Sequence, residues 1–207
     1  MTVRINEAVQ LAEEHLRAYP NEEINDMPLR KWEGETRVIR NNKQLEWALA
    51  RMEGESLLGF DTETRPVFKK GHTPGPPNLL QLATADRVFV IQLQHVKLEN
   101  GLAELLASKD VIKSGVAVHD DLVGLKKVCQ FSPQHFVDLG QISQQVNMQT
   151  HGLRNLAANL LGFRVSKGAQ CSNWARDPLS HKQVIYAATD AWISRELFIA
   201  FQKLGIF

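Results

Sequence analysis

The chain has 207 residues, 43% hydrophobic and 23% charged, an ordinary balance for one globular domain with an appendage. Its 24 Lys and Arg against 23 Asp and Glu leave a formal charge of +1. That excludes a polybasic coat for nucleic acid, but not a nucleic-acid enzyme whose metal ions supply positive charge locally. Two cysteines, Cys129 and Cys171, are too few for a disulfide framework and form no CxxC pair, so a reducing compartment is expected. No apolar run approaches the ~18 residues of a membrane span. The first ten residues carry Arg4, Asn6 and Glu7 and no signal-peptide core, so a cytoplasmic location is expected.

Val9, Leu11, Ala12 and Leu16 have near-helical spacing and predict an accessory helix over 6–19, ended by Pro20. The polar stretch 21–26 reads as a linker, so residues 1–31 form an accessory segment and 32–207 the main domain. In that domain, strands are expected at 37–39 and 56–60, on either side of a helix through Leu45, Trp47, Ala48 and Leu49. A long loop rich in turn residues (Pro66, Gly71, Pro74, Gly75, Pro76, Pro77) follows Asp61. Strands at 78–83 and 87–93, around the short turn 84–86, complete an antiparallel meander. Then come a helix at 102–106, a strand at 111–118, a helix at 120–129 and a short strand at 136–139. The rest is mostly helical, ending in a long helix from about Ser180. This periodicity defines an α/β protein with one mixed β-sheet flanked by helices, in the element order of a ribonuclease H-like fold.

Three acidic sites carry the chemistry. Asp61 and Glu63 stand two apart where an apolar strand meets the loop, so both carboxylates project to one face. Turn chemistry alone also explains an Asp there. His119-Asp120-Asp121 opens a helix directly after a strand; one aspartate suits the N-cap, leaving the other unexplained. His119 has no partner at ligand spacing and reads as structural. Tyr186 and Asp190, four apart on the last helix among Ile185, Ala187, Ala188, Ala191 and Trp192, share an inward face. A buried carboxylate there needs a partner or a metal. Together these sites make a cage of four carboxylates. Hard oxygen donors with few Cys and His select Mg²⁺ or Mn²⁺ over zinc. Two such cations about 4 Å apart can clamp the attacking and leaving oxygens of a phosphodiester.

Asp61-Thr-Glu63, Asp121 and Tyr186-x-x-x-Asp190 resemble the DEDD 3′→5′ exonuclease superfamily, in its tyrosine-containing branch. The alternative branch has a histidine five residues before the last aspartate, where this chain has Ile185. Cys171-Ser-Asn-Trp174, Pro178-Leu179 and Tyr186-Ala-Ala-Thr-Asp190-Ala191 look especially like the exonuclease domain of the Werner syndrome protein, with ribonuclease D a more distant relative. The resemblance runs from about Arg37 to Phe207. It implies that Asp61, Glu63, Asp121 and Asp190 ligate two divalent cations, and that Tyr186 holds the attacking water in line. It places Asp121 in the cage rather than Asp120, which is then left to cap the helix. It also implies attack at the 3′ end of a nucleic acid and release of nucleoside 5′-monophosphates. DNA is favoured by the Werner-type motifs; an RNA or short-oligonucleotide exonuclease is the alternative. A catalytically silent binding domain of this fold would usually lack a carboxylate, and none is missing.

Substrate contacts are less sharply defined. Arg65, Lys69, Lys70 and His72 either grip the phosphate backbone beside the cage or form an ordinary solvated loop. Trp174 either stacks a terminal base or anchors the core, with Arg164, Lys167 and Arg176 adding charge nearby. The N-terminal segment either serves oligomerisation or packs on the domain.

Overall fold

Leucine-rich and β-branched runs make the strands of the computed structural model, which describes residues 3–6, 8–68, 71, 73–99 and 101–207. The strands are β1 (Glu35–Ile39), β2 (Leu57–Glu63), β3 (Leu79–Ala83), β4 (Arg87–Gln92), β5 (Ile112–Gly115) and β6 (Phe136–Asp138). They form one six-stranded sheet in the order β1-β4-β3-β2-β5-β6. β2, β3 and β4 make the expected antiparallel meander. β1 joins β4 in parallel, and β5 and β6 extend the other edge in parallel with β2. β3 is buried along its whole length, as a central strand covered on both faces must be.

Eight helices complete the described residues: α1 (Glu13–Leu16), α2 (Asn21–Asp26), α3 (Asn42–Met52), α4 (Leu102–Ala107), α5 (Val118–Leu125), α6 (Leu139–Gln145), α7 (Leu153–Leu161) and α8 (His181–Lys203). Strand alternation sorts them by face. Leu58, Phe60, Leu80, Leu82, Phe89 and Ile91 pack with residues of α3, α4 and α5. Leu79, Ala83, Val88 and Val90 pack under Ala187, Ala188 and Ala191 of α8. α8 starts at a capping box in which Ser180 and Gln183 satisfy each other's backbone N–H groups. None of the described helices is long and apolar enough to cross a membrane.

Two expectations are corrected. Residues 6–19 are not one helix: only Glu13–Leu16 is helical, and 21–26, expected to be a linker, is helix α2 with Ile24 buried. Packing overrides local propensity here. The segment is a strap, tied down by Asn6 N–H to the Ile206 carbonyl (2.8 Å), Gln149 N–H to the Leu16 carbonyl (2.8 Å), and the Asn159 amide to the carbonyls of His15 and Arg17. Val9, Leu11 and Leu16 do bury apolar surface, against the cluster around α7 and α8. The second correction concerns α5. It begins at Val118, after Ala117 turns through φ 60°, so Asp120 lies inside the first turn and does not cap it. The Asp138 carboxylate caps it instead, accepting from Ala117 N–H (3.2 Å) and Val118 N–H (3.0 Å) while also capping α6.

Candidate active site

The site begins with a close approach. Gly59 stands on β2 where α8 crosses it, and a Cβ there would lie 1.9 Å from the Ala191 carbonyl oxygen. Only glycine lets helix and strand come this near. Two residues on, Asp61 points to the same side of β2, and Asp190 precedes Ala191 on α8. The contact through Gly59 thus delivers a helix carboxylate to a strand carboxylate. Ligand oxygens of Asp61, Glu63 and Asp190 lie within 4.8 Å of one another.

Asp121 arrives differently. It stands on α5, and its Oδ1 accepts a hydrogen bond from the Thr62 hydroxyl. Thr62 lies between the two β2 acids and projects to the opposite face, so β2 organises one carboxylate group on each side. Asp121 is outside the tight trio but near enough for its charge to raise the pKa values of Asp61 and Glu63.

The electrostatics describe a site short of positive charge. Burial, then repulsion from Asp190 and Asp121, pushes Glu63 up to about 9. Burial followed by the charges of Asp190, Asp121 and Glu63 holds Asp61 well above the usual carboxylate range. Burial raises Asp121 and Asp190 to about 7, each opposed by a hydrogen bond, from Thr62 and Tyr186 respectively. Burial and the charge of Asp190 push the Tyr186 phenol further up, so it stays protonated. Carboxylates that repel in this way fit a divalent cation: the donors are hard oxygens, and no Cys or His joins the cluster among the described residues.

The trio and Tyr186 line a cavity of about 420 Å³ whose other wall carries Arg154, Asn155, Ser166, Lys167 and Gln170. A larger cavity of about 620 Å³ beside β6 has one carboxylate, Asp138, already engaged in helix capping. Chemistry rather than size distinguishes the site.

Trp174 is corrected from a base-stacking residue to a core anchor. It is 1% exposed, and its indole lies 5.8 Å from the Tyr186 ring, tilted by 43°. Its face is spent on supporting Tyr186. Arg176 does not line the carboxylate cavity, whereas Lys167 does. Lys69, Lys70 and His72 lie outside the described residues. Arg65 is exposed, its backbone N–H bonded to Asn78 Oδ1. Asp120 and His119 are both exposed on α5, outside the carboxylate trio.

Sequence reasoning missed Thr62, Asp138, Arg154 and Gln81. Asp138 had a local signal, an Asp between a strand and a helix. Gln81 had none: it is fully buried directly opposite Asp61 on β3, and neither amide atom has a protein partner.

A model of the 3′-5′ exonuclease family matches residues 36–206. The chain is 28% identical over 160 residues to the mouse bifunctional 3′-5′ exonuclease/ATP-dependent helicase WRN, a match covering 75% of this chain and 11% of that protein. It is also 28% identical over 169 residues to ribonuclease D of Haemophilus influenzae, covering 81% of this chain and 41% of that one. The crystal structure of the Aedes aegypti Nibbler EXO domain superposes with a TM-score of 0.74 at 27% identity, covering 86% of this chain and 91% of that domain. The chain belongs to the 3′-5′ exonuclease family of hydrolases. It spans less than half the length of the two named relatives.

Proposed function

We propose that this chain is a metal-dependent 3′→5′ exonuclease that removes nucleoside 5′-monophosphates one at a time from a nucleic-acid strand. The observation that carries this reading is the convergence of Asp61, Glu63 and Asp190 within 4.8 Å, with Tyr186 one helical turn from Asp190. Asp61, Glu63, Asp190 and Asp121 would hold two divalent cations, Mg²⁺ or Mn²⁺. The chemistry these supply when bound is a lowered pKa for water and charge stabilisation at the attacking and leaving oxygens. Tyr186, kept protonated, orients the water by hydrogen bonding, and Trp174 behind it fixes the ring. Arg154 and Lys167, on the opposite wall, are placed to bind the phosphate. No protein nucleophile is required.

The Werner-type motifs around Trp174 and Asp190 favour DNA. An RNA reading is supported by an equal 28% identity to ribonuclease D. The test is incubation with 5′-labelled single-stranded DNA, recessed duplex DNA and RNA in Mg²⁺, Mn²⁺ or EDTA, with Asp61→Ala as control. A ladder shortening from the 3′ end, present with metal and absent in the variant, supports the reading and ranks the substrates. Intact label in every lane, from folded protein, overturns it.

A further inference from the structure

A second cavity, of about 450 Å³, adjoins the first and shares Ser166, Tyr186 and Asp190 with it. Its far wall is the N-terminal strap, upstream of the residues matched by the family model: Leu29, Arg30, Lys31 and Glu33. The strap is pinned in place. Arg30 N–H donates to the Arg164 carbonyl (2.9 Å), and Arg164 N–H donates to the Pro28 carbonyl (3.0 Å). Trp32 N–H donates to Thr189 Oγ1 on α8 (3.0 Å), and the Trp32 ring packs against Trp192 at 5.8 Å.

The lining has the character of a nucleotide site. Leu29, 54% exposed, and Ile185 offer apolar surface, while Arg30, Lys31 and Lys182 set three cations against Glu33 and the shared Asp190. The neighbouring carboxylate cage repels a polyanion, so a strand fed to it needs cations close by. Apolar surface beside phosphate-binding cations suits a base and its backbone.

We propose that this cavity is a second nucleotide subsite, holding the unit of the single strand adjacent to the one whose phosphodiester enters the carboxylate cage. The proposal rests on the exonuclease reading and deepens it. In it, the strap is part of the substrate-binding surface, and its cations bind the backbone of a strand too long for the cage alone.

The test is fluorescence anisotropy with a labelled eight-nucleotide single strand in Mg²⁺, on an Asp61→Asn background that keeps the strand intact. Arg30, Lys31 and Lys182 are exposed, so Arg30→Ala/Lys31→Ala/Lys182→Ala leaves the core untouched. The expected result is affinity weakened about tenfold or more, with a log affinity–log salt slope shallower by about 0.7 per cation removed. Glu33→Gln is expected to tighten binding. Equal affinity and slope in the triple variant overturn the subsite, as does a background protein that binds no strand. Wild-type protein that degrades the strand while the triple variant binds normally preserves the exonuclease reading and discards only the subsite. Wild-type protein that degrades nothing discards the reading itself.

Discussion

The carboxylate cage is built in two ways on the two sides of β2. On the α8 side, Asp61, Glu63 and Asp190 are brought together by backbone packing, through Gly59 against the Ala191 carbonyl. On the α5 side, Asp121 is held by side-chain hydrogen bonding: the Thr62 hydroxyl grips its carboxylate, and Asp138 caps the helix that carries it. The first arrangement cannot be adjusted without moving a 23-residue helix; the second needs only a side-chain rotation. A site that must accept and release charged reactants thus combines a fixed trio with one adjustable acid.

The largest expected effect breaks the packed side. Gly59→Ala places a methyl on the Ala191 carbonyl, and β2 and α8 must separate. A loss of about 3 kcal/mol or more, together with loss of activity, is expected in urea unfolding and nuclease assays. Trp174→Ala comes next: emptying the space behind Tyr186 costs about 3–5 kcal/mol, read in the same unfolding experiment. Trp174→Phe, which keeps an aromatic ring there, should retain activity.

A third experiment compares the charged site with and without metal. Glu63 is raised from 4.5 to about 9 and Asp190 from 3.8 to about 7, so the folded metal-free protein keeps protons that the unfolded chain releases. Stability in EDTA therefore falls as pH rises from about 4 to about 9. Thermal melts at pH 5, 7 and 9 should show this decline, and added Mn²⁺ should reverse it. Asp61→Asn should flatten the decline and raise the melting temperature at pH 8 while abolishing turnover. A lower melting temperature in that variant would contradict repulsion among the carboxylates.

The smallest effect probes the adjustable side. Thr62→Val removes one hydroxyl at constant shape, for about 1 kcal/mol of stability. The Thr62 hydrogen bond lowers the pKa of Asp121, so its loss raises that pKa above about 7. The acid limb of the pH–rate profile should move to higher pH, with the fold intact.

Residues whose relation is local are legible in the sequence. Asp61 and Glu63 share a face because a strand repeats every two residues, and Tyr186 and Asp190 because a helix nearly repeats every four. The strands of the meander are equally plain, since their apolar runs end in turn residues. The strap is not: Val9, Leu11 and Leu16 have helical spacing, yet what holds them is contact with α7 and α8, more than a hundred residues away. Nor is Trp174, because a tryptophan flanked by polar residues reads alike as a stacking platform and as an anchor until its neighbours are known.

Composition and spacing alone determined the α/β class, the acidic pair on β2 and the Tyr186–Asp190 pair on α8, and these motifs carry the resemblance to a carboxylate nuclease family. Tertiary structure alone decided that Asp138 rather than Asp120 caps α5, that Thr62 tethers Asp121, and that the strap walls a cavity beside Tyr186. The division has one physical cause. Helix and strand periodicities are written in bonds between near neighbours, whereas a cap, a tether or a wall depends on which distant segment the hydrophobic core brings alongside.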